Sequence, residues 1–169
     1  MERVRALFAA EGAAAFPLAA WGALHDGTQR MGTWAAEGPS DWLHDPLFDL
    51  ASLTKVILTT TWAMRLWERG VLELDRDLGR GFTPRHLLLH NSGLPAHKEY
   101  WVTARDPEEA WRQILNEPLE AAPGKRTEYS CVGFMNLYHQ LCELAGGGVD
   151  RDAEFAGRMR EWGFRWGSE

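Results

Sequence analysis

Hydrophobic and polar positions follow two different periods along this chain, and the changes of period mark out its elements. Residues 2–11 are amphipathic in a helical period and stop at Gly12, which predicts a short helix with a glycine after its last turn. Phe16 to His25 and Thr28 to Ala35 are extended runs on either side of Asp26-Gly27, the pair that a two-residue hairpin turn favours. A β-hairpin is therefore predicted. Breakers follow in Glu37-Gly38-Pro39-Ser40 and Asp45-Pro46, and the pattern beyond them is helical.

A central helix is expected from Ser52 to Arg69, ended by Gly70, with Leu72, Leu74 and Leu78 anchoring the loop after it. Thr83-Pro84 reads as an N-cap and a first-turn proline for a short helix through His90. Asp106-Pro107-Glu108-Glu109 repeats the device and opens a helix to about Asn116. Pro118 and Pro123-Gly124 break the chain again, and Glu128-Tyr129-Ser130 lies in a loop before a helix from Cys131 to Ala145, stopped by Gly146-Gly147-Gly148. Arg151 to Trp162 reads as a last helix. Trp62, Trp67, Trp101, Trp111, Trp162 and Trp166 stand mostly at helical spacing with apolar neighbours and are expected in the core. The tally is six or seven helices against one hairpin, an α+β chain that is mostly helical. Two strands alone are marginal in water, so either helices cover the hairpin or further strands belong beside it.

Composition narrows the class. A length of 169 residues suits a single domain over 1–169, divided into a helix and hairpin (1–36) and a helical subdomain (45–169). With 45% hydrophobic residues and nine Trp the chain is globular rather than disordered. A net charge of −6 with scattered arginines leaves no basic stripe and argues against nucleic acid as a partner. Glu11 and Gly12 interrupt the first apolar run, so neither a signal peptide nor a membrane span is expected. Cys131 and Cys142 lie eleven positions apart in one expected helix, too far for a disulfide, which makes the cytoplasm the expected compartment.

Candidate chemistry centres on Ser52-Leu53-Thr54-Lys55, with the apolar run Val56-Ile57-Leu58 directly after it. Three positions apart on a helix, a hydroxyl and an amine rise from one face and can share a proton. A serine needs an adjacent base to become a nucleophile, and a lysine desolvated in a pocket can serve. The plain alternative makes Ser52 an N-cap and Lys55 a solvated first-turn residue. His86 and His90 stand i, i+4 with His97 beyond, but zinc catalysis needs a third ligand and a gap for water, and neither metal nor cofactor is expected.

Three stretches in this order and spacing resemble the serine β-lactamase and penicillin-binding-protein superfamily, in particular its class C and esterase-like branch. They are Phe48 to Lys55, Leu87-Leu88-Leu89-His90-Asn91-Ser92-Gly93-Leu94-Pro95, and Pro123-Gly124-Lys125 through Tyr129-Ser130-Cys131-Val132-Gly133-Phe134. The resemblance implies that Ser52 is the acylated nucleophile, that Lys55 is its base or relay partner, and that Tyr129 is a second proton-relay group. It makes the stretch around His90 a structural turn. Cys131 stands where the family usually has an asparagine that helps hold the substrate and the lysine; a thiol bonds weakly in either sense, so this substrate-binding position is thinned. The family's later strands, with a Lys-Thr-Gly or His-x-Gly-type triad and half of the oxyanion hole, have no counterpart after Tyr129. The resemblance therefore spans about the N-terminal half of that fold.

The function implied is acyl transfer from an amide or ester (a β-lactam, a D-alanyl peptide or a simple ester) to Ser52 and then to water. Loss of one oxyanion donor typically costs about 10²–10³ in turnover, so the expectation is an impaired hydrolase. The rival expectation is a non-catalytic module that binds a partner supplying the remaining strands, or that forms a homo-oligomer through the hairpin edge.

Overall fold

The computed structural model describes residues 2–11, 16–36 and 48–146, together with Gly157 and Arg160. Its contacts fall into two compact units, Met1–Leu50 and Ala51–Glu169.

The first unit holds helix α1 (Glu2–Glu11) and the predicted hairpin, strands β1 (Leu18–His25) and β2 (Thr28–Ala35). The strands pair antiparallel from Leu18 opposite Ala35 to His25 opposite Thr28, so the loop is Asp26-Gly27 alone. Both turn residues have positive φ, 47° and 75°, as a turn matched to the strand twist requires, and this is why the Asp-Gly pair identified it. Phe8 of α1 packs on Phe16 and Trp34, with ring centroids 5.8 and 6.0 Å away, which ties the helix to the hairpin. Across the strands the Trp21 indole covers Gly32 so closely that a Cβ there would lie 2.7 Å from the ring. Among the described residues the sheet has these two strands.

The second unit is helical. Its first long helix departs from the expected α-helix of Ser52 to Arg69: Lys55–Thr60 is a π-helix, and α2 runs from Thr61–Glu68. The sequence supplies the reason. Val56, Ile57, Thr59, Thr60 and Thr61 form a β-branched cluster that is a poor α-helix former. The hydroxyls of Thr60 and Thr61 donate to the carbonyls of Lys55 and Val56, five residues back, at 2.8 and 3.2 Å. Gly70, with φ 70°, then turns the chain so that Leu72 N–H reaches the Leu66 carbonyl at 3.1 Å.

Short helices come next: α3 (Pro84–Leu88), α4 (Tyr100–Thr103), α5 (Pro107–Asn116) and α6 (Cys131–Leu144). The caps read from the sequence are present. Thr83 accepts from the His86 N–H while His86 Nδ1 accepts from the Thr83 N–H; Asp106 accepts from the Glu109 N–H at 2.7 Å. α4 is an addition that a four-residue apolar pattern is too short to announce. The expected helix over Arg151 to Trp162 lies, but for Gly157 and Arg160, outside the described residues.

Trp62, Leu66, Leu72, Phe82, Leu87, Leu94, Ile114, Val132, Leu137 and Leu141 form one core between α2, α3, α5 and α6. Two of the expected core tryptophans do not join it: Trp67 is 55% and Trp101 64% exposed. Trp67 lies five residues after Trp62, roughly 140° around the helix from the face that carries Trp62 and Leu66. Trp111 is partly buried against the core, and Trp162 and Trp166 lie outside the described residues.

The last carbonyls of α5 run out of regular helical partners; the Glu117 N–H reaches Ile114 O at 3.5 Å, and side chains from elsewhere supply further bonds. Arg80 donates to Leu115 O at 2.8 Å and also to Glu117 O. Buried Asn136, from α6, donates through one Nδ2 to Ile114 O and Val132 O at 3.2 and 3.0 Å. Asn136→Ala should remove two buried hydrogen bonds, leaving Ile114 O with only the longer 3.5 Å bond from the Glu117 N–H, and destabilise the protein by about 1–3 kcal/mol, read as a lower denaturation midpoint with an unchanged slope.

Candidate active site

The three residues expected to carry the chemistry are brought together within the second unit. Ala51, with φ 42°, opens a tight turn, and Lys55 N–H bonds to Ser52 O at 3.1 Å, which sets the two side chains on one side of the first turn. A positive φ at a residue with a Cβ is a strained conformation of the kind that gathers at functional sites. Lys55 Nζ stands 3.3 Å from Ser52 Oγ and donates to it. The Tyr129 ring, more than seventy residues on, has its centroid 5.3 Å from the same Nζ. The N-cap of the π-helix is Thr54, which makes no side-chain cap bond, unlike Thr83 and Asp106, and the hydrogen bond of Ser52 Oγ is the one from Lys55.

Burial around the lysine differs from what the apolar run predicts. Leu58 is fully buried, but Val56 is 61% exposed and Lys55 itself is half-buried. The π-helical stretch widens the turn, so the residues after Lys55 do not close over it.

Tyr129 reaches this place because the segment from Glu120 to Cys131 is laced to the turn from His90 to Ala96. Four backbone N–H groups donate across the seam: Glu120 to Gly93 O, Gly124 to Asn91 O and Glu128 to His90 O at 2.8 Å each, and Cys131 to Ala96 O at 2.7 Å. The buried Ser130 hydroxyl donates to Pro95 O at 2.6 Å and accepts from Gly133 N–H, which caps α6 and locks it to the same turn. Gly93 is required twice over: its φ is 83°, and a Cβ on it would stand 2.0 Å from the Ala121 carbonyl oxygen.

His90 is the residue that sequence reasoning left as part of the turn. It has φ 56°, its Nδ1 accepts from the Ser130 N–H at 3.0 Å, and its ring lies 4.6 Å from that of Tyr129 and 4.8 Å from that of Phe134. An Nδ1 that accepts leaves the proton of the neutral ring on Nε2. Burial, and then the charge of Lys55, hold His90 below the ordinary imidazole value. The signal in the sequence was a histidine, with its acceptor nitrogen, just where the turn needs a left-handed residue.

Cys131 begins α6 half-buried, and among the described residues its thiol bonds to neither Ser52 nor Lys55. Cys142 is buried in the same helix, and neither cysteine is in a disulfide. Of the histidines weighed as metal ligands, His86 is taken up in the α3 capping box, His90 stacks on two rings, and exposed His97 lies against Trp101. No group of three or more metal-ligating side chains occurs among the described residues, and no helix there is long and apolar enough to cross a membrane.

A family model described as beta-lactamase matches residues 4–154. This chain belongs to the β-lactamase family. A putative D-alanyl-D-alanine carboxypeptidase of Escherichia coli (strain K12) is 29% identical over 161 residues, covering 80% of this chain and 36% of the relative. The D-alanyl-D-alanine-carboxypeptidase/endopeptidase AmpH of the same strain is 28% identical over 123 residues, covering 60% of this chain and 31% of its own length. The chain thus spans about a third of the length of the curated relatives it matches. In this β-lactamase-family chain the matched residues take in Ser52, Lys55 and Tyr129 with the turn that holds them.

Two outcomes test the geometry. Gly93→Ala should destabilise the protein by at least about 2 kcal/mol, from the left-handed backbone together with the clash, measured by chemical denaturation. The lowered pKa of His90 means that below about pH 6.5 the unfolded chain takes up a proton before the folded one, so stability is lost as pH falls. Unfolding free energy measured from about pH 7.5 down to about pH 5 should fall more steeply in the wild type than in His90→Asn.

Proposed function

We propose that this chain carries the nucleophilic centre of a serine hydrolase that forms an acyl-enzyme on an amide or ester. Ser52 is the nucleophile, Lys55 its proton acceptor and Tyr129 the second relay. The observation that carries the reading is Lys55 Nζ at 3.3 Å from Ser52 Oγ, with the Tyr129 ring centroid 5.3 Å from the same nitrogen. Family membership supports it.

The steps use these groups alone. Lys55, once it has given up a proton, accepts that of Ser52 as Oγ bonds to the acyl carbon; the C–N or C–O bond of the substrate then breaks, and the leaving group takes a proton delivered through Lys55 and Tyr129. Water, activated by the same pair, breaks the ester at Ser52 and restores the hydroxyl. Relatives named as D-alanyl-D-alanine carboxypeptidases make a D-alanyl peptide the favoured substrate class in this proposal, with β-lactams as mimics of it and simple esters as less demanding acyl donors. Cys131, the first residue of α6, is the substrate-binding position in this proposal. Cys131 and Cys142, neither of them in a disulfide, fit a reducing compartment, and the cytoplasm is part of this proposal.

A second reading has one observation in its favour: the two-stranded sheet among the described residues is less than a sheet normally needs to be stable. On that reading the chain is a non-catalytic module that pairs its hairpin edge with a second copy or with a partner's strands. Oligomers on size-exclusion chromatography, without labelling at Ser52, would favour it.

The deciding experiment incubates the protein with a fluorescent penicillin and with p-nitrophenyl acetate. Adduct mass should map to Ser52, be absent in Ser52→Ala, and form about 10²–10⁴ times more slowly in Tyr129→Phe. Equal labelling of wild type and Ser52→Ala would overturn the assignment.

A further inference from the structure

We infer that His90 is a positioning residue for Tyr129, setting the angle and place of the phenol beside Lys55; the inference rests on the acyl-transfer reading of Ser52, Lys55 and Tyr129. Tyr129 is 52% exposed and lies in a segment with no regular secondary structure. Its hydroxyl makes no hydrogen bond among the described residues, so the contacts of its ring and backbone decide where it points. A tyrosine so exposed would ordinarily sample several rotamers.

His90 holds it from three sides. The His90 carbonyl accepts from Glu128 N–H at 2.8 Å, on one side of Tyr129 in the chain, and His90 Nδ1 accepts from Ser130 N–H at 3.0 Å, on the other. Between these two bonds the imidazole lies against the phenol ring, centroids 4.6 Å apart and planes inclined by 37°. The imidazole is itself fixed by stacking on Phe134 of α6, inclined by 30°, and by the His90 N–H bond to Leu87 O at 3.2 Å. The core of α6 is thereby connected to the phenol through one flat side chain.

A residue that only shaped the turn would need nothing beyond tolerance of a left-handed backbone, and asparagine or glycine would meet that need. The position uses three properties at once: a φ of 56°, an acceptor nitrogen directed at Ser130 N–H, and a planar face for Tyr129. Phenylalanine lacks the acceptor and fits the backbone poorly. Asparagine keeps the backbone and carries an acceptor but has no face, and so it isolates the stacking.

The test is a double-mutant cycle in the full chain, with His90→Asn, Tyr129→Phe and the double variant, reading the rate of Ser52 acylation by p-nitrophenyl acetate. A misplaced catalytic group costs about tenfold to a hundredfold, and that loss is expected from His90→Asn when Tyr129 is present. Once residue 129 is phenylalanine, His90→Asn should slow the reaction no further. An equal loss in both backgrounds, or none in either, would overturn the inference.

A readout independent of activity separates its failure from failure of the acyl-transfer reading. With 13C-labelled tyrosine, the Tyr129 ring signals should be displaced from free-tyrosine positions by the His90 ring current, and His90→Asn should remove that displacement. Ring signals of Tyr129 already at free-tyrosine positions in the wild type would sink the inference, whether or not Ser52 is acylated. Their displacement would sustain it even in a protein that does not label, or where His90→Asn does not fold.

Discussion

The helical unit depends on a seam of backbone hydrogen bonds between two segments that have no regular secondary structure. The turn from His90 to Ala96 offers its carbonyls outward, and the segment from Glu120 to Cys131 donates to four of them. Buried backbone groups outside helices and sheets must find partners somewhere, and here each segment satisfies the other. Gly93 lets the two approach closely enough, because any side chain there would occupy the space of the Ala121 carbonyl. Without this seam the Glu120–Cys131 segment would be a surface loop, and Tyr129 would have no fixed relation to a helix that ended some sixty residues earlier in the chain.

The same economy governs the proposed nucleophile. Ser52 and Lys55 are fixed relative to each other by one turn of backbone, a local device that needs nothing from the rest of the chain. Beyond that turn the β-branched cluster of Val56 to Thr61 would strain an ordinary α-helix, and the π-helical stretch relieves the strain by letting threonine hydroxyls bond to carbonyls five residues back. Leu58 is drawn into the core, while Val56 and Lys55 stay at the surface. Ser52 is thus exposed and Lys55 half-buried beside it.

Much was legible in the chain alone because it rests on short-range chemistry. Asp26-Gly27 specified a hairpin and its register, since this pair tolerates the positive φ that both residues adopt in the turn. Thr83-Pro84 and Asp106-Pro107 marked helix starts by side chains that bond within three residues. Ser52, Lys55 and Tyr129 were legible as a set through resemblance, and the proximity of the first two came from their spacing.

Features decided at long range were hidden. Periodicity does not tell which tryptophan at helical spacing faces inward, since Trp62 and Trp67 have similar apolar neighbours and differ only in angle around one helix. The capture of α5 carbonyls by Arg80 and Asn136 and the stacking of His90 between Tyr129 and Phe134 join residues up to about forty positions apart. By itself, then, the sequence determined most of the elements, their caps and the closeness of Ser52 to Lys55, because each is written within one or two turns of chain. Only the tertiary structure decided where the phenol stands and what holds it, because that is settled by hydrogen bonds and ring contacts between segments that the sequence keeps apart.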